Sequence, residues 1–209
     1  MAKEIFNLRS YNVESILGFI ESNEFAIPEI QRPFVWDNTQ VKELIDSLYN
    51  GFPCGYIIVW QNPTIKTKDG KSSNGRKILI DGQQRVTALM TSIKGLEVLN
   101  EDFQKKRIKI AFNPFPISED KRFEVQTAST INDKKWVPDI SEIFSNEFKI
   151  RQFEKEYCKN NPTINEDDLD VEIEKLKEEV LELVKLEKGK TFKIETKRSD
   201  IISFEKKGN

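Results

Sequence analysis

The chain of 209 residues contains no histidine at all. That removes the usual general base at neutral pH, the commonest zinc ligand and every triad built on an imidazole. Only two cysteines are present, Cys54 and Cys158, far apart in the chain, and nothing in their spacing asks for a disulfide or a metal. They read as two thiols in a reducing compartment. No apolar run approaches the length of a membrane span, and the start, MAKEIFNLRS, has no apolar secretory core, so a cytoplasmic protein without a membrane partner is expected. The formal net charge is only −2, from 33 basic and 35 acidic side chains, so no global field draws the chain to nucleic acid.

What is present is a core-forming set, with 37% hydrophobic residues and 14 phenylalanines, beside a charged fraction of 33%. That supports one substantial core and leaves charge for solvated helices. Val13, Ile16, Leu17 and Ile20 mark a helix over 12–19. Phe25-Ala26-Ile27 is a short apolar segment stopped by Pro28. Pro28 and Pro33 then forbid a helix across Gln31-Arg32 and demand an extended loop or edge strand. Asp37 or Asn38 caps the next helix, with Asp37 and Gln40 as a capping box, Val41, Leu44, Ile45 and Leu48 on one face, and Asn50-Gly51 at its end.

Residues 55–60 (GYIIVW) and 76–80 (RKILI) read as two strands of a hairpin around a polar, lysine- and glycine-rich loop, 61–77, expected to be mobile. A helix starts near Gln83. RIKIAF at 107–112 alternates as a strand, and 123–127 as another. Ile140, Ile143 and Phe144 lie on a short helix, and 142–157 is helical. Thr163 and Glu166 fit a capping box. Leu169, Ile173, Leu176, Val180 and Leu183 then recur at helical spacing, either on a helix packed at the domain edge or on a partner helix of coiled-coil type. The basic, alternating end, KTFKIETKRSDIISFEKKGN, reads as a strand with no evident place to pair.

The most informative stretch is ILIDGQQRVTAL, residues 78–89. A turn uses the glycine and the aspartate, but not Gln-Gln-Arg. If a helix begins near Gln83, its first N–H groups face the turn and favour an anion. Gly82 allows close backbone approach, and Arg85 offers a planar fork of donors suited to phosphate oxygens. Gln83 and Gln84 can address a base, a sugar or a water. Asp81 beside an anion makes sense if it holds Mg²⁺ through one carboxylate and phosphate oxygens. A plain Asp-Gly turn, with Arg85 paired to Asp81 and a solvated glutamine pair, needs no ligand and accounts for the same residues. The stretch is neither a Walker A loop nor a dinucleotide fingerprint. Arg32, in the stiff segment QRPFVW, either bridges a surface carboxylate or shares one anion with Arg85. Trp36 either packs on the following helix or stacks on a base.

Gln31-Arg32-Pro33-Phe34-Val35-Trp36, Val41-x-x-Leu44-Ile45-Asp46-Ser47-Leu48, Gly55-Tyr56-Ile57 and Asp81-Gly82-Gln83-Gln84-Arg85-Val86-Thr87, in that order, resemble the N-terminal domain of GmrSD-type modification-dependent restriction enzymes, within the ParB/sulfiredoxin-like group. The resemblance is tight over 10–95 and thins to a general likeness near DKKWVPDISEIF. It implies an α+β fold with a small mixed sheet and surrounding helices over 1–130, and a helical extension over 131–209 that stops before any nuclease domain. It implies binding of a nucleoside triphosphate with Mg²⁺, and its hydrolysis, in the regulatory part of a phage-defence system. Asp81, Gln83 and Gln84 would be catalytic, with Asp81 as metal ligand. Gln31, Arg32, Gly82, Arg85, Asp46 and Ser47 would bind nucleotide, and Gly55 would open the strand that enters the site. The nuclease of such enzymes is of HNH type and needs a histidine, so these 209 residues do not carry it. The alternative is a non-catalytic module that senses modified DNA or a partner protein, with the 61–77 loop or the nuclease domain as its contact.

Overall fold

The computed structural model describes residues 6–27, 33–61, 77–182 and 192–198. They form two compact units. The first is built from 1–31, 55–83 and 191–209, the second from 32–54 and 84–190.

The first unit is a five-stranded mixed sheet in the order β1-β9-β3-β4-β2. β1 (Phe6–Tyr11) leads into α1 (Val13–Glu21), which starts where the Asn12 side chain accepts the N–H of Ser15. α1 buries Val13, Ile16 and Leu17, the stripe its periodicity predicts. The Phe19 ring lies 5.1 Å from that of Tyr11 and 4.8 Å from that of Phe25, which ties α1 to both flanking strands. β2 (Phe25–Ala26) is short and runs parallel to β4 (Lys77–Asp81). β3 (Tyr56–Gln61) is antiparallel to β4, with a bulge between Ile58 and Val59. Ile57, Val59 and Leu79 are fully buried and Ile78 nearly so, while Tyr56 and Ile80 stay about half exposed.

β9 (Phe192–Arg198) corrects the reading of the basic end as a strand without a place. It is internal to the sheet, antiparallel to β1 from Phe6↔Lys197 to Tyr11↔Phe192, and parallel to β3 from Tyr56↔Lys193 to Gln61↔Arg198. The first unit therefore joins segments from both ends of the chain, because its sheet takes an internal strand from nearly 200 residues beyond the strand it flanks at the edge. Alternation cannot show this, since an internal strand with polar residues looks like an edge until its neighbours are known.

The second unit holds α2 (Asn38–Tyr49) and α3 (Gln83–Ser92) with small hairpins and helices. The Asp37–Gln40 capping box of α2 forms with both bonds, at 2.8 and 3.0 Å. The helix ends at Asn50, and Gly51 takes φ 73°. β5 (Val98–Leu99) pairs with β6 (Lys105–Lys106), and β7 (Ile110–Phe112) with β8 (Phe123–Val125). The strand expected over 107–112 is thus shorter, forming only at Ile110–Phe112. The Ile108 N–H donates to the Thr91 hydroxyl at 2.9 Å, not to a strand.

α4 (Ala128–Asn132) and α5 (Ile140–Ile143) are short. The continuous helix expected over 142–157 is interrupted, and α6 spans only Ile150–Asn160. α7 (Glu166–Lys177) is capped by Asn165, which accepts the Asp168 N–H at 2.7 Å, in place of the Thr163 cap that the sequence suggests. It continues as a π-helical turn over Glu178–Glu182. Leu169, Ile173, Leu176 and Val180 are fully buried, so for these four the packed-helix reading holds; Leu183 lies outside the described residues. Among the described residues no helix is long and apolar enough to cross a membrane.

Candidate functional site

β4 ends at Asp81, which is exposed, and α3 begins two residues later at Gln83. The turn between them is Gly82, buried and at φ 87°. An L-residue is strained there, so glycine is needed for the strand to stop and the helix to start within one residue. The first N–H groups of α3 have no carbonyl one turn earlier within the helix. The Gln83 side chain reaches back to the Leu79 carbonyl at 3.4 Å. The division between the two compact units falls inside this stretch, after Gln83.

Gln84 and Arg85 belong to the second unit, and both are used there as donors to backbone. Gln84 is 8% exposed. Its Oε1 accepts the Val35 N–H at 2.9 Å, and its Nε2 donates to the Pro33 carbonyl at 3.1 Å. The amide therefore pairs with the extended segment as a neighbouring strand would. Pro33 cannot donate, and the two peptide groups flanking Phe34 are the ones the clamp takes. On its other edge the Phe34 N–H donates to the Leu99 carbonyl at 3.0 Å. The Pro33–Val35 part of the QRPFVW motif is held from the DGQQR stretch, which gives Gln84 a role that does not require it to touch a ligand.

Arg85 Nη1 donates to the Cys54 carbonyl at 2.7 Å. Burial pushes the Cys54 thiol up to about 11 despite the nearby Arg85 charge. Both cysteines are free, and burial also raises Cys158, so neither is a reactive thiolate near neutral pH. Gly55, at φ 84°, opens β3.

Asp46 and Ser47 lie on α2. Burial raises the Asp46 carboxyl above its ordinary value; Lys42 and a bond from Asn50 oppose this, and the Asp120 and Glu119 charges add to it. Asp46 is thereby placed with the 119–122 turn. The Ser47 carbonyl accepts the Phe52 N–H at 2.8 Å and fixes the chain on its way to Cys54. Gln31, Arg32 and residues 62–76 of the expected loop lie outside the described residues.

Among the described residues no three acidic, cysteine or histidine side chains gather as a metal cage. The donor at this turn is one exposed carboxylate at the end of a strand, a ligand type that Mg²⁺ takes beside phosphate oxygens and water.

Two buried charged clusters escape sequence reading. Arg122 is 4% exposed and binds Glu119 through Nε and Nη2, each at 2.9 Å, with the Pro114 carbonyl and Glu172 both at 2.8 Å. Its guanidinium also sits 5.1 Å from the Tyr49 ring centre. Asp139 is 2% exposed and takes bonds from Arg107 at 2.7 Å and from the Ser141 hydroxyl at 2.7 Å. Nothing local distinguishes these residues from the many solvated charges of the chain, because their partners come from up to 50 residues away.

An uncharacterized protein of Methanocaldococcus jannaschii, MJ0686, is 30% identical over 101 residues, covering 40% of this chain and 17% of that protein. This chain therefore spans only a small part of that relative's length. The model of the N-terminal domain of the GmrSD restriction endonuclease matches residues 13–207, nearly the whole chain. That range takes in all four motifs, the buried Gly82 turn and the internal strand β9, and so the chain belongs to the GmrSD restriction endonuclease N-terminal domain family.

Proposed function

We propose that this chain binds and hydrolyses a nucleoside triphosphate as the regulatory domain of a restriction system acting in phage defence. The observation that carries the reading is the Gly82 turn: a buried glycine at φ 87° sets an exposed carboxylate and the donor-rich start of a ten-residue helix two residues apart. A helix start favours phosphate oxygens. Arg85 and Arg32 add charge-assisted donors to those oxygens, with Gln31 beside Arg32. Mg²⁺ held by Asp81 would neutralise charge on the transferring phosphoryl group. Gln83, half-buried at the first helical position, is the residue assigned to orient the attacking water. Gln84 acts as a positioning residue, since its amide is spent on Pro33 and Val35. Asp46 and Ser47 support the nucleotide side through α2 and the turn that sets Cys54.

The chain has no imidazole, so hydrolysis here rests on orientation and electrostatics, which phosphoryl transfer allows. The test is phosphate release by the 209-residue protein, with Mg²⁺ and with chelator. Asp81→Ala should abolish metal-dependent release while the protein stays folded. Release that persists in that variant removes the metal role. Clear binding without release in the parent leaves a nucleotide-gated switch.

A further inference from the structure

The second unit carries a cavity of about 540 Å³ that the DGQQR stretch does not use. Phe115, Trp136 and Tyr157 line it, with Asn113 and Asn161 among them. Its charged lining residues are Lys121, Lys135, Asp133 and Asp168, all exposed and two of each sign. A balanced rim of that kind exerts no net pull on an anion or a cation, so the occupant it suits is neutral.

The two asparagines define the polar requirement. Asn113 is 8% exposed and Asn161 is 9% exposed. The Asn113 Oδ1 accepts the Phe115 N–H at 3.1 Å, which fixes its amide orientation and leaves Nδ2 as a donor. The Asn161 Nδ2 donates to the carbonyls of Lys134 at 2.9 Å and Tyr157 at 3.0 Å, which leaves Oδ1 as an acceptor. Among the described residues neither remaining atom has a protein partner, and neither is sealed from solvent as the Asn38 Oδ1 is. One unspent donor and one unspent acceptor, on side chains more than nine-tenths buried that line the same cavity, suit a ligand that offers the complement of both.

Trp136 supplies the third element. It is half-buried, and among the described residues its indole makes no ring contact and no hydrogen bond. The Tyr157 ring, by contrast, is engaged by Phe153 at 5.7 Å and its hydroxyl by the Lys135 carbonyl at 2.9 Å. An indole without an aromatic or hydrogen-bond partner, lining the same cavity as an acceptor and a donor, suits a flat ring with polar atoms on its edge.

We propose that this cavity binds a neutral nitrogen heterocycle of nucleobase type, stacked on Trp136 and read at its edge by Asn113 Nδ2 and Asn161 Oδ1. The volume suits one base with its sugar and falls in the ordinary range of ligand pockets, roughly 300–1,000 Å³. The heterocycle comes either from a free nucleoside or from a base displaced out of a nucleic-acid strand. The proposal does not rest on the nucleotide role of the DGQQR stretch, and nucleosides, which lack phosphate, test it separately.

The full 209-residue protein is titrated with each deoxynucleoside, with a DNA duplex carrying one unpaired, bulged base, and with a neutral hexose. Calorimetry and the indole N–H resonance of Trp136 are the readouts. The expected result is saturable binding that shifts that resonance. Trp136→Ala should weaken it roughly tenfold or more, as base stacking does. Asn113→Asp keeps the Oδ1 that holds Phe115 but turns the donor into an acceptor, and should weaken binding at least tenfold. Binding of free nucleosides identifies the small-molecule source. Binding of the bulged duplex alone, with the same sensitivity to both variants, identifies a strand. Failure of every base to shift the Trp136 resonance at millimolar concentration overturns the proposal, as does binding of the hexose in place of the bases. If Asn113→Asp loses the fold, the resonance of the unaltered protein and the Trp136→Ala variant still decide.

Discussion

Replacing Gln84 by methionine removes both polar atoms of the clamp and keeps the length of the side chain. The Val35 N–H and the Pro33 carbonyl then lose bonds of 2.9 and 3.1 Å. A buried group left unpaired costs about 1–3 kcal/mol. Pro33 and Val35 are half-buried, so water recovers part of each, and the low end applies. The sum is about 2 kcal/mol. For a chain of this size that lowers Tm by about 4–8 °C. Gln84→Glu should be worse, because one carboxylate oxygen faces the Pro33 carbonyl and no donor remains for it. Thermal unfolding followed by circular dichroism reads both. Nucleotide affinity, measured on the folded variants, should fall as well, since Arg32 is covalently joined to the freed Pro33. A Gln84→Met protein with the parent Tm and the parent affinity would show that the clamp does not hold the Pro33–Val35 segment, and the structural role given to Gln84 would go with it.

Arg85→Ala should weaken nucleotide binding by about tenfold or more, as loss of a charge-assisted phosphate contact does; equal affinity by calorimetry removes Arg85 from the site. Arg122→Met should destabilise by about 2–3 kcal/mol, below the usual figure for a broken buried pair because Glu119 is exposed and recovers its hydration. Arg122 holds the Glu119 carboxyl below its ordinary value, chiefly by hydrogen bonding. Their mutual stabilisation is therefore present above the ordinary glutamate range and lost as pH falls through the lowered value, and the variant should lose that part of the acid limb in a Tm-against-pH series. Cys54, raised to about 11 by burial, should react with iodoacetamide at pH 8 at least tenfold more slowly than a small free thiol; a rate equal to the free thiol refutes the environment assigned to it. Phe103 holds φ 58° while 75% exposed, so Phe103→Asn should raise stability by a few tenths of a kcal/mol to about 1 kcal/mol, read as a higher Tm.

The sequence by itself determined the elements whose causes are local. The α1 stripe, the Asp37–Gln40 box, the pair of strands around 61–77 and the helix start at Gln83 all depend on residues within a turn or two of one another, and each forms where its pattern places it. The four motifs also carried the family, because they name a short chain of residue types in a fixed order. Tertiary structure decided what depends on distant partners. β9 became an internal strand only by pairing with residues 6–11 and 56–61, a match of register that alternation along one segment cannot specify. Gln84 looked like a free amide beside a turn and is bound to a segment 49–51 residues earlier, since a side chain's partner is fixed by packing and not by its neighbours in the chain. Asn165 displaced Thr163 as the cap of α7 because the Asn161 N–H bonds back to Tyr157 and Cys158 and Ile164 bonds to Asn161, which turns the chain before the helix can start. The unspent amides of Asn113 and Asn161 follow the same rule: their residue types are ordinary, and only burial beside Trp136 leaves them a donor and an acceptor to offer.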